Sequence, residues 1–97
     1  MYLFFTVKVG CPSEDELEEL SIMLSDNWGK FGRRLGFAQA RITAFHKENE
    51  KLSDKAYAML MEWKEREGSD GNYKVLYDAL CHKLVNCKRI AEKICCV

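Results

Sequence analysis

The apolar positions after Pro12, the only proline, recur at helical spacing. Ser13 and Glu16 form the Ser-x-x-Glu pattern of a capping box, in which each side chain satisfies a free backbone N–H of the first helical turn. The polar residues 25–27 interrupt the apolar pattern. A first helix is therefore predicted between these signals, and three leucines share one of its faces: Leu17, Leu20 and Leu24.

Two shorter helices are predicted next. The second lies within residues 28–36, where Gly36 is placed to end it. Gly29 and Gly32 each cost a helix about 1 kcal/mol relative to Ala, so this helix must depend on packing. Its apolar face comprises Trp28, Phe31 and Leu35. The third helix is predicted from about Ala38 to Glu48, with two inward residues, Ile42 and Phe45.

The fourth predicted helix has the most regular apolar spacing and ends before Gly68. Its stripe comprises Leu52, Ala56, Met59, Leu60 and Trp63. After a loop over residues 69–72, a fifth helix has Asn72 as its N-cap. Its stripe comprises Tyr73, Leu76, Tyr77, Leu80 and Leu84. The sixth helix is predicted to have Asn86 as its N-cap and to bury Ile90, Ala91 and Ile94.

Six short helices with one apolar stripe each predict an all-α bundle, because each stripe can be buried only against the other helices. Core packing also explains both tryptophans better than ligand stacking does, since each lies on a stripe beside leucine. The predicted structural core comprises Leu17, Leu20, Trp28, Phe31, Leu35, Ile42, Leu60, Trp63, Leu76, Leu80 and Ile90.

Residues 1–12 are predicted to be an extended lead-in of unknown role, ahead of a helical domain over residues 13–97. Aromatic and β-branched residues from Tyr2 to Val9 give the segment strand propensity, but a lone strand is unstable without a partner. Two alternatives stay open. The segment is the end of a neighbouring domain's strand, or it pairs within this unit.

Composition indicates one globular domain without affinity for polyanions. The chain has 97 residues, 47% of them hydrophobic, which suffices for one modest core. Its 15 basic and 15 acidic residues cancel, so net charge provides no attraction to nucleic acid or to an anionic membrane. Neither a signal peptide nor direct membrane insertion is expected. The five cysteines lack the spacing of a disulfide framework and favour a cytoplasmic chain, which could be the cytosolic part of a larger receptor.

Charge is concentrated in two clusters. Five of the six positions from Glu14 to Glu19 are acidic. The acidic run also suits the positive end of a helix dipole, so a merely solvated face explains it equally well. The basic cluster is harder to explain as a solvated face, because most of it lies in the short helix weakened by two glycines. It comprises Lys30, Arg33, Arg34 and Arg41.

No catalytic residue, metal site or cofactor is predicted. His82 lies near Cys81 and Cys87, but the paired spacing typical of zinc ligands is missing. A Cys–His catalytic pair is also disfavoured, because adjacent residues on a helix point about 100° apart. Cys95 and Cys96 lack the spacing of a CaaX prenylation signal. A zinc- or thiol-dependent domain therefore remains only an alternative hypothesis. Metal analysis of the purified protein would test it.

The order of the motifs resembles the death domain family over about residues 14 to 96. A Trp precedes a Leu-Gly pair at the end of the second helix, a Leu-x-x-Trp lies in the fourth helix, and an Ala-Leu pair lies in the fifth. These motifs and the Leu and Ala that lead the fourth helix are carried by Trp28, Leu35, Gly36, Leu52, Ala56, Leu60, Trp63, Ala79 and Leu80. Ala38 departs from the family pattern, which usually has a Ser or Thr cap there. Caspase-recruitment domains share the fold and are the second choice.

The resemblance implies a six-helix antiparallel bundle in Greek-key arrangement that binds other death domains, or further copies of itself, without catalysis. Its role would be homotypic assembly in apoptotic or inflammatory signalling. By analogy with the family, a face on the first and fourth helices meets a face on the second and third, head to tail. The acidic face would comprise Glu14, Asp15, Glu18, Glu19, Glu62 and Glu65. The basic face would comprise Lys30, Arg33, Arg34 and Arg41.

Overall fold

The computed structural model describes residues 6–97, and this part of the chain contains six α-helices and two short 3₁₀ turns. The all-α prediction is confirmed there. The turns cover Ser25–Asn27 and Gly68–Asp70. The helices are α1 (Glu14–Leu24), α2 (Trp28–Arg34), α3 (Gln39–Glu48), α4 (Leu52–Glu67), α5 (Tyr73–Cys81) and α6 (Lys88–Cys95).

Helix α4 is the centre of the packing. It lies along α1 and also contacts α2 and α3, while α5 packs mainly against α6. Its residues Met59, Leu60 and Trp63 have no solvent-exposed surface. The predicted core side chains are all buried except Ile90, which is half-buried. One contiguous core therefore holds the helices together.

Local sequence signals set several helix ends as predicted. The Ser13 hydroxyl accepts from the Glu16 backbone N–H at 3.1 Å, and the Glu16 carboxylate accepts from the Ser13 N–H at 2.9 Å. The Asn72 side chain likewise accepts from the Val75 N–H at 3.0 Å, as an N-cap does. Gly36 follows α2 with a φ of 95°, a conformation that favours glycine. Ala38 provides no side-chain cap for α3, as expected.

The end of α5 differs from the prediction. The helix stops at Cys81, so Leu84 falls in a turn and is exposed, although helical spacing placed it on the apolar stripe. Val85 is buried in its place. Asn86 is not the N-cap of α6, because it adopts a positive φ of 56° inside this turn and Cys87 precedes the helix. Neither Gly nor Pro marks the turn, and Asn tolerates the left-handed conformation it requires.

Leu52 and Ile90 are also more exposed than the periodicity predicted. Leu52 is half-exposed because it is the first residue of α4, where the chain enters the bundle. Ile90 is only partly buried because α6 turns Ala91, Ile94 and Cys95 into the core, and Ile90 lies about 100° around the helix from Ala91.

Residues 6–12 pack against the bundle, whereas the part of the lead-in before Thr6 lies outside the described residues. Val7 and Cys96 form an antiparallel bridge, flanked by hydrogen bonds from the Lys8 N–H to the Cys95 carbonyl and from the Val97 N–H to the Thr6 carbonyl. The Pro12 side chain is fully buried. We call residues 6–12 the N-terminal strap, because they tie the start of α1 to the end of α6.

Gly32→Ala is expected to lower the free energy of unfolding by about 1–3 kcal/mol. A Cβ at Gly32 would come within 2.7 Å of Ile42 Cδ1 and closer still to the buried Met59 Sδ. The overlap opposes the gain in helix propensity. Chemical denaturation measures the difference.

Gly29→Ala is the matched control in the same helix. A Cβ there meets nothing nearer than Ile42 Cγ2 at 3.7 Å, an ordinary contact. Only helix propensity then changes, and the variant should gain up to about 1 kcal/mol. Equal effects of the two substitutions would contradict the close approach of α2 to α3 and α4.

Candidate interaction surfaces

The basic surface is centred on α2. Lys30, Arg33 and Arg34 are all exposed on this short helix. Arg33 Nε donates to Gln39 Oε1 at 3.0 Å, which links the surface to the first turn of α3. Gln39 in turn donates to the Thr43 hydroxyl at 3.3 Å. The three exposed cations therefore stand on a helix that is linked to α3, and the Nε of Arg33 is already used in that link.

Arg33 borders shallow grooves on two sides of α2. On one side, α3 contributes Gln39 and Thr43. On the other side, Arg33 and Arg34 line a groove with Val75 of α5, and the same arginines with Lys30 line a groove with Leu84. The basic surface therefore extends toward α5 and the turn after it, beyond the second and third helices where sequence analysis placed it.

Arg41 is engaged inside the molecule. Its Nε lies 2.9 Å from Glu62 Oε2 in a forked ion pair, and its guanidinium stacks over the Phe45 ring at 4.3 Å. The hydrogen bond from Arg41 holds the pKa of Glu62 below its ordinary value. The two residues that sequence analysis assigned to opposite binding faces are thus each other's partners, and they join α3 to α4.

The acidic surface lies on α1. Glu14, Asp15, Glu18 and Glu19 are exposed, and Glu19 lies 3.4 Å from Lys93 of α6. Asp15 and Glu18 share a helix face, since they stand three residues apart. Glu65 is also exposed, on α4. Glu14, Asp15 and Glu18 are therefore exposed carboxylates on α1, and Glu19 is partly neutralised by Lys93.

Exposed apolar side chains accompany both charged surfaces, and sequence analysis missed them. Ile22 and Glu18 of α1 line one side of a groove between α1 and α4. Asp54 and Tyr57 of α4 line the other side. Leu84 lines the groove beside Arg34. The available signal for Ile22 was its position off the leucine stripe of the first helix. For Leu84 the helical spacing wrongly predicted a buried position on the fifth helix.

The cysteines do not form a metal centre among residues 6–97, where no group of three or more His, Cys, Asp or Glu side chains could hold an ion. Burial raises the pKa of the Cys95 thiol to about 12, and it also raises the pKa of Cys87. Both thiols stay protonated at neutral pH, which makes them poor nucleophiles and poor metal ligands.

The described residues form a small all-α bundle with one basic and one acidic surface. Within residues 6–97, no helix combines the length and apolar character needed to cross a bilayer. The family model for the death domain matches residues 14–94, and the chain belongs to the death domain family. It is a protein–protein interaction module of the signalling type. Neither comparison with curated proteins nor comparison with solved structures finds a match.

Proposed function

We propose that this domain binds other death domains through its charged surfaces, and that Arg33 and Arg34 on α2 are the centre of one of them. The observation that supports this most directly is that both arginines are exposed on the same helix, beside grooves on two sides. Arginine binds carboxylates in a planar fork and is enriched at interface hot spots.

The partner surface for α2 is acidic. Each exposed ion pair contributes only about 0.2–1 kcal/mol, so several contacts must act together to give a specific complex. The affinity should fall as salt rises, because exposed charges are screened beyond about 8–10 Å at physiological ionic strength. Arg41 and Glu62 are left out of the proposed contact, since they satisfy each other within the domain.

Charge reversal of both arginines tests the proposal. Arg33→Glu with Arg34→Glu should leave the fold intact, because both side chains are exposed, and should abolish binding to any death domain that the wild type binds. The measurement is surface-immobilised binding of the purified domain to a panel of purified death domains at physiological salt. Charge reversal of the facing acids on the bound partner should restore part of the affinity.

The matched control reverses two exposed lysines outside the basic surface, Lys47→Glu with Lys51→Glu. It changes net charge by the same amount and should bind as the wild type does. If the folded arginine variant binds as well as the lysine variant, α2 is only a solvated face. The contact must then lie elsewhere, around residues 68–72 or on α6.

We also infer that the module works in the cytosol, in assemblies of the apoptotic or inflammatory kind. All five cysteines are unpaired, which suits a reducing compartment. Imaging of the tagged full-length protein tests the location. A location restricted to the secretory lumen would contradict it.

A further inference from the structure

Exposed cations extend beyond the basic surface on α2 to the turn after α5 and the start of α6. Three of them, on α2, line a groove with Leu84 in that turn. Another directly precedes Leu84 in the chain, and two more begin α6 four and five residues after it. Four residues span at most about 14 Å, so these cations lie near Leu84. We call this group the cationic face, and it comprises Lys30, Arg33, Arg34, Lys83, Lys88 and Arg89.

The positive charge of the cationic face is not cancelled within the domain. Among residues 6–97, none of its members forms an ion pair with a carboxylate. Asp78 lines one of its grooves but already accepts a hydrogen bond from Lys74 at 2.9 Å. Asp26 and Glu92 line two others, and the cations outnumber them. The face therefore presents a net positive charge to whatever meets it.

Aliphatic side chains lie among these cations. Leu84 is 57% exposed and Val75 is 37% exposed, and the half-buried Ile90 lines a groove with Lys88 and Arg89. This combination suits the boundary between lipid headgroups and acyl chains, where an apolar side chain enters the hydrocarbon and long cationic side chains stay with the headgroups. Of the described residues that line the grooves of these aliphatic side chains, none is Phe, Tyr or Trp. The stacking surfaces typical of single-stranded nucleic-acid sites are therefore missing there.

We propose that the cationic face binds the surface of a bilayer that contains anionic phospholipids, with Leu84 inserted at the headgroup boundary. Clusters of about four to eight Lys or Arg residues bind such surfaces, and each cation near the surface strengthens binding about fivefold. The balanced net charge of the chain does not oppose this binding. The attraction acts within a Debye length of about 8 Å, so it depends on the cations that meet the surface.

Bilayer binding goes beyond the proposed function, although both use α2. Arg33 and Arg34 belong to the cationic face and are also the proposed centre of the contact with another death domain. A bilayer and a protein partner would therefore compete for the same helix. The two uses differ at Leu84 and Lys83, which lie outside the proposed centre of the protein contact.

Co-sedimentation of the purified full chain with lipid vesicles tests the proposal. One set of vesicles contains phosphatidylcholine and phosphatidylserine, and the other contains phosphatidylcholine alone. The chain should bind the anionic vesicles about tenfold more tightly or better, and this affinity should fall as salt rises from low to physiological concentration. Equal binding to both kinds of vesicle, or no binding to either, would overturn the proposal.

Leu84→Ser tests the apolar part of the contact and should lower the affinity for anionic vesicles about tenfold, because the side chain no longer enters the hydrocarbon. Ile22→Ser is the matched control. Ile22 is also an exposed aliphatic residue, but it lines a groove with the carboxylates of Glu18 and Asp54, which anionic lipids repel. This variant should bind as the wild type does. Equal affinities of the two serine variants would contradict insertion of Leu84.

Lys30→Gln with Lys83→Gln tests the cationic part and should lower the affinity for anionic vesicles tenfold or more. The matched control, Lys47→Gln with Lys51→Gln, removes the same charge from exposed positions outside the cationic face and should bind as the wild type does. If both pairs weaken binding equally, the attraction does not come from this face.

A short DNA duplex serves as the comparison polyanion. An affinity for the duplex as high as that for anionic vesicles, with no effect of Leu84→Ser on either, would show a surface for any polyanion and overturn the proposal. Circular dichroism and the thermal midpoint should match the wild type in every variant, since all the substituted positions are exposed. If Leu84→Ser is unfolded, Leu84→Ala is a smaller change that should still weaken vesicle binding several-fold. A chain that binds a death domain through Arg33 and Arg34 but not the vesicles would overturn bilayer binding alone.

Discussion

Trp63→Ala should lower the free energy of unfolding by about 3–5 kcal/mol, the largest effect expected from a single truncation in this domain. The Trp63 side chain is fully buried on α4, the helix that contacts α1, α2 and α3. Its removal forfeits the transfer free energy of the ring and leaves a cavity that neighbouring helices fill only in part. For a small domain with total stability of about 5–15 kcal/mol, the loss is a large fraction.

Urea unfolding followed by circular dichroism measures the effect, and Leu52→Ala is the control in the same helix. Leu52 is 41% exposed, so its truncation should cost much less. Trp63→Phe should fall between them, because the indole N–H has no hydrogen-bond partner among the described residues and its loss leaves no new unpaired group. An unchanged denaturation midpoint in folded Trp63→Ala would contradict the burial of this residue.

The sequence could predict the elements whose determinants are local. The capping box needs only Ser13 and Glu16, three residues apart, and the structure contains both of its hydrogen bonds. Gly36 and Gly68 mark the ends of α2 and α4, where a positive φ favours glycine. Regular apolar spacing predicted the core-facing residues Ala56, Met59, Leu60 and Trp63 of the central helix, although it also included the exposed Leu52. Each of these signals, the capping box, the terminal glycine and the apolar spacing, involves residues that are close in sequence.

Side-chain pairing across the fold could not be predicted in the same way. Arg41 and Glu62 are 21 residues apart and meet only because α3 packs against α4. The sequence predicts opposing faces for them because Arg41 belongs to the basic cluster, whereas the family analogy assigns Glu62 of the fourth helix to the acidic face. The turn after α5 is a second case. Helical spacing continued to Leu84, but His82 leaves the helical conformation with a ψ of 139°. A turn follows, in which the Val85 and Asn86 N–H groups donate to the His82 carbonyl.

The contacts of the N-terminal strap also could not be predicted from the sequence, because they depend on the tertiary structure. Strand propensity indicated an extended segment, but its partners are the last residues of the chain, far away in sequence. Gly10 accepts a hydrogen bond from the Tyr73 N–H at 3.0 Å, and Lys64 Nζ lies 3.3 Å from the Pro12 carbonyl. The family match begins at residue 14, so the strap is a feature of this chain outside the matched part.

The strap also creates an unusual carboxylate at the start of α1. Partial burial alone would raise the pKa of Glu16, but hydrogen bonds from Lys8 and Tyr73, together with the capping N–H and the charge of Lys8, lower it from 4.5 to about 2. The Tyr73 hydroxyl donates to Glu16 Oε1 at 2.5 Å, and Lys8 Nζ lies 2.8 Å from Oε2. Burial and the Glu16 carboxylate raise the pKa of Tyr73 to about 12, so Tyr73 remains a donor at neutral pH.

Because the folded-state pKa of Glu16 lies below its unfolded value, the ionised carboxylate stabilises the fold above about pH 4.5, and this contribution is lost as the pH falls toward 2. With allowance for partial exposure of the side chain, it amounts to about 2–3 kcal/mol. Glu16→Gln should therefore be less stable than wild type at neutral pH, and the difference should shrink toward zero near pH 2.

Urea unfolding at a series of pH values between 2 and 7 measures this difference. Glu18→Gln is the matched control, since Glu18 is an exposed carboxylate on the same helix. Its stability should follow that of wild type across the range. A second variant, Lys8→Met, removes the ion pair from the strap while keeping the carboxylate and should retain part of the pH dependence through Tyr73 and the capping N–H. If Glu16→Gln and Glu18→Gln give the same curve, the cluster of Lys8, Glu16 and Tyr73 does not bind the strap to α1 as the structure indicates.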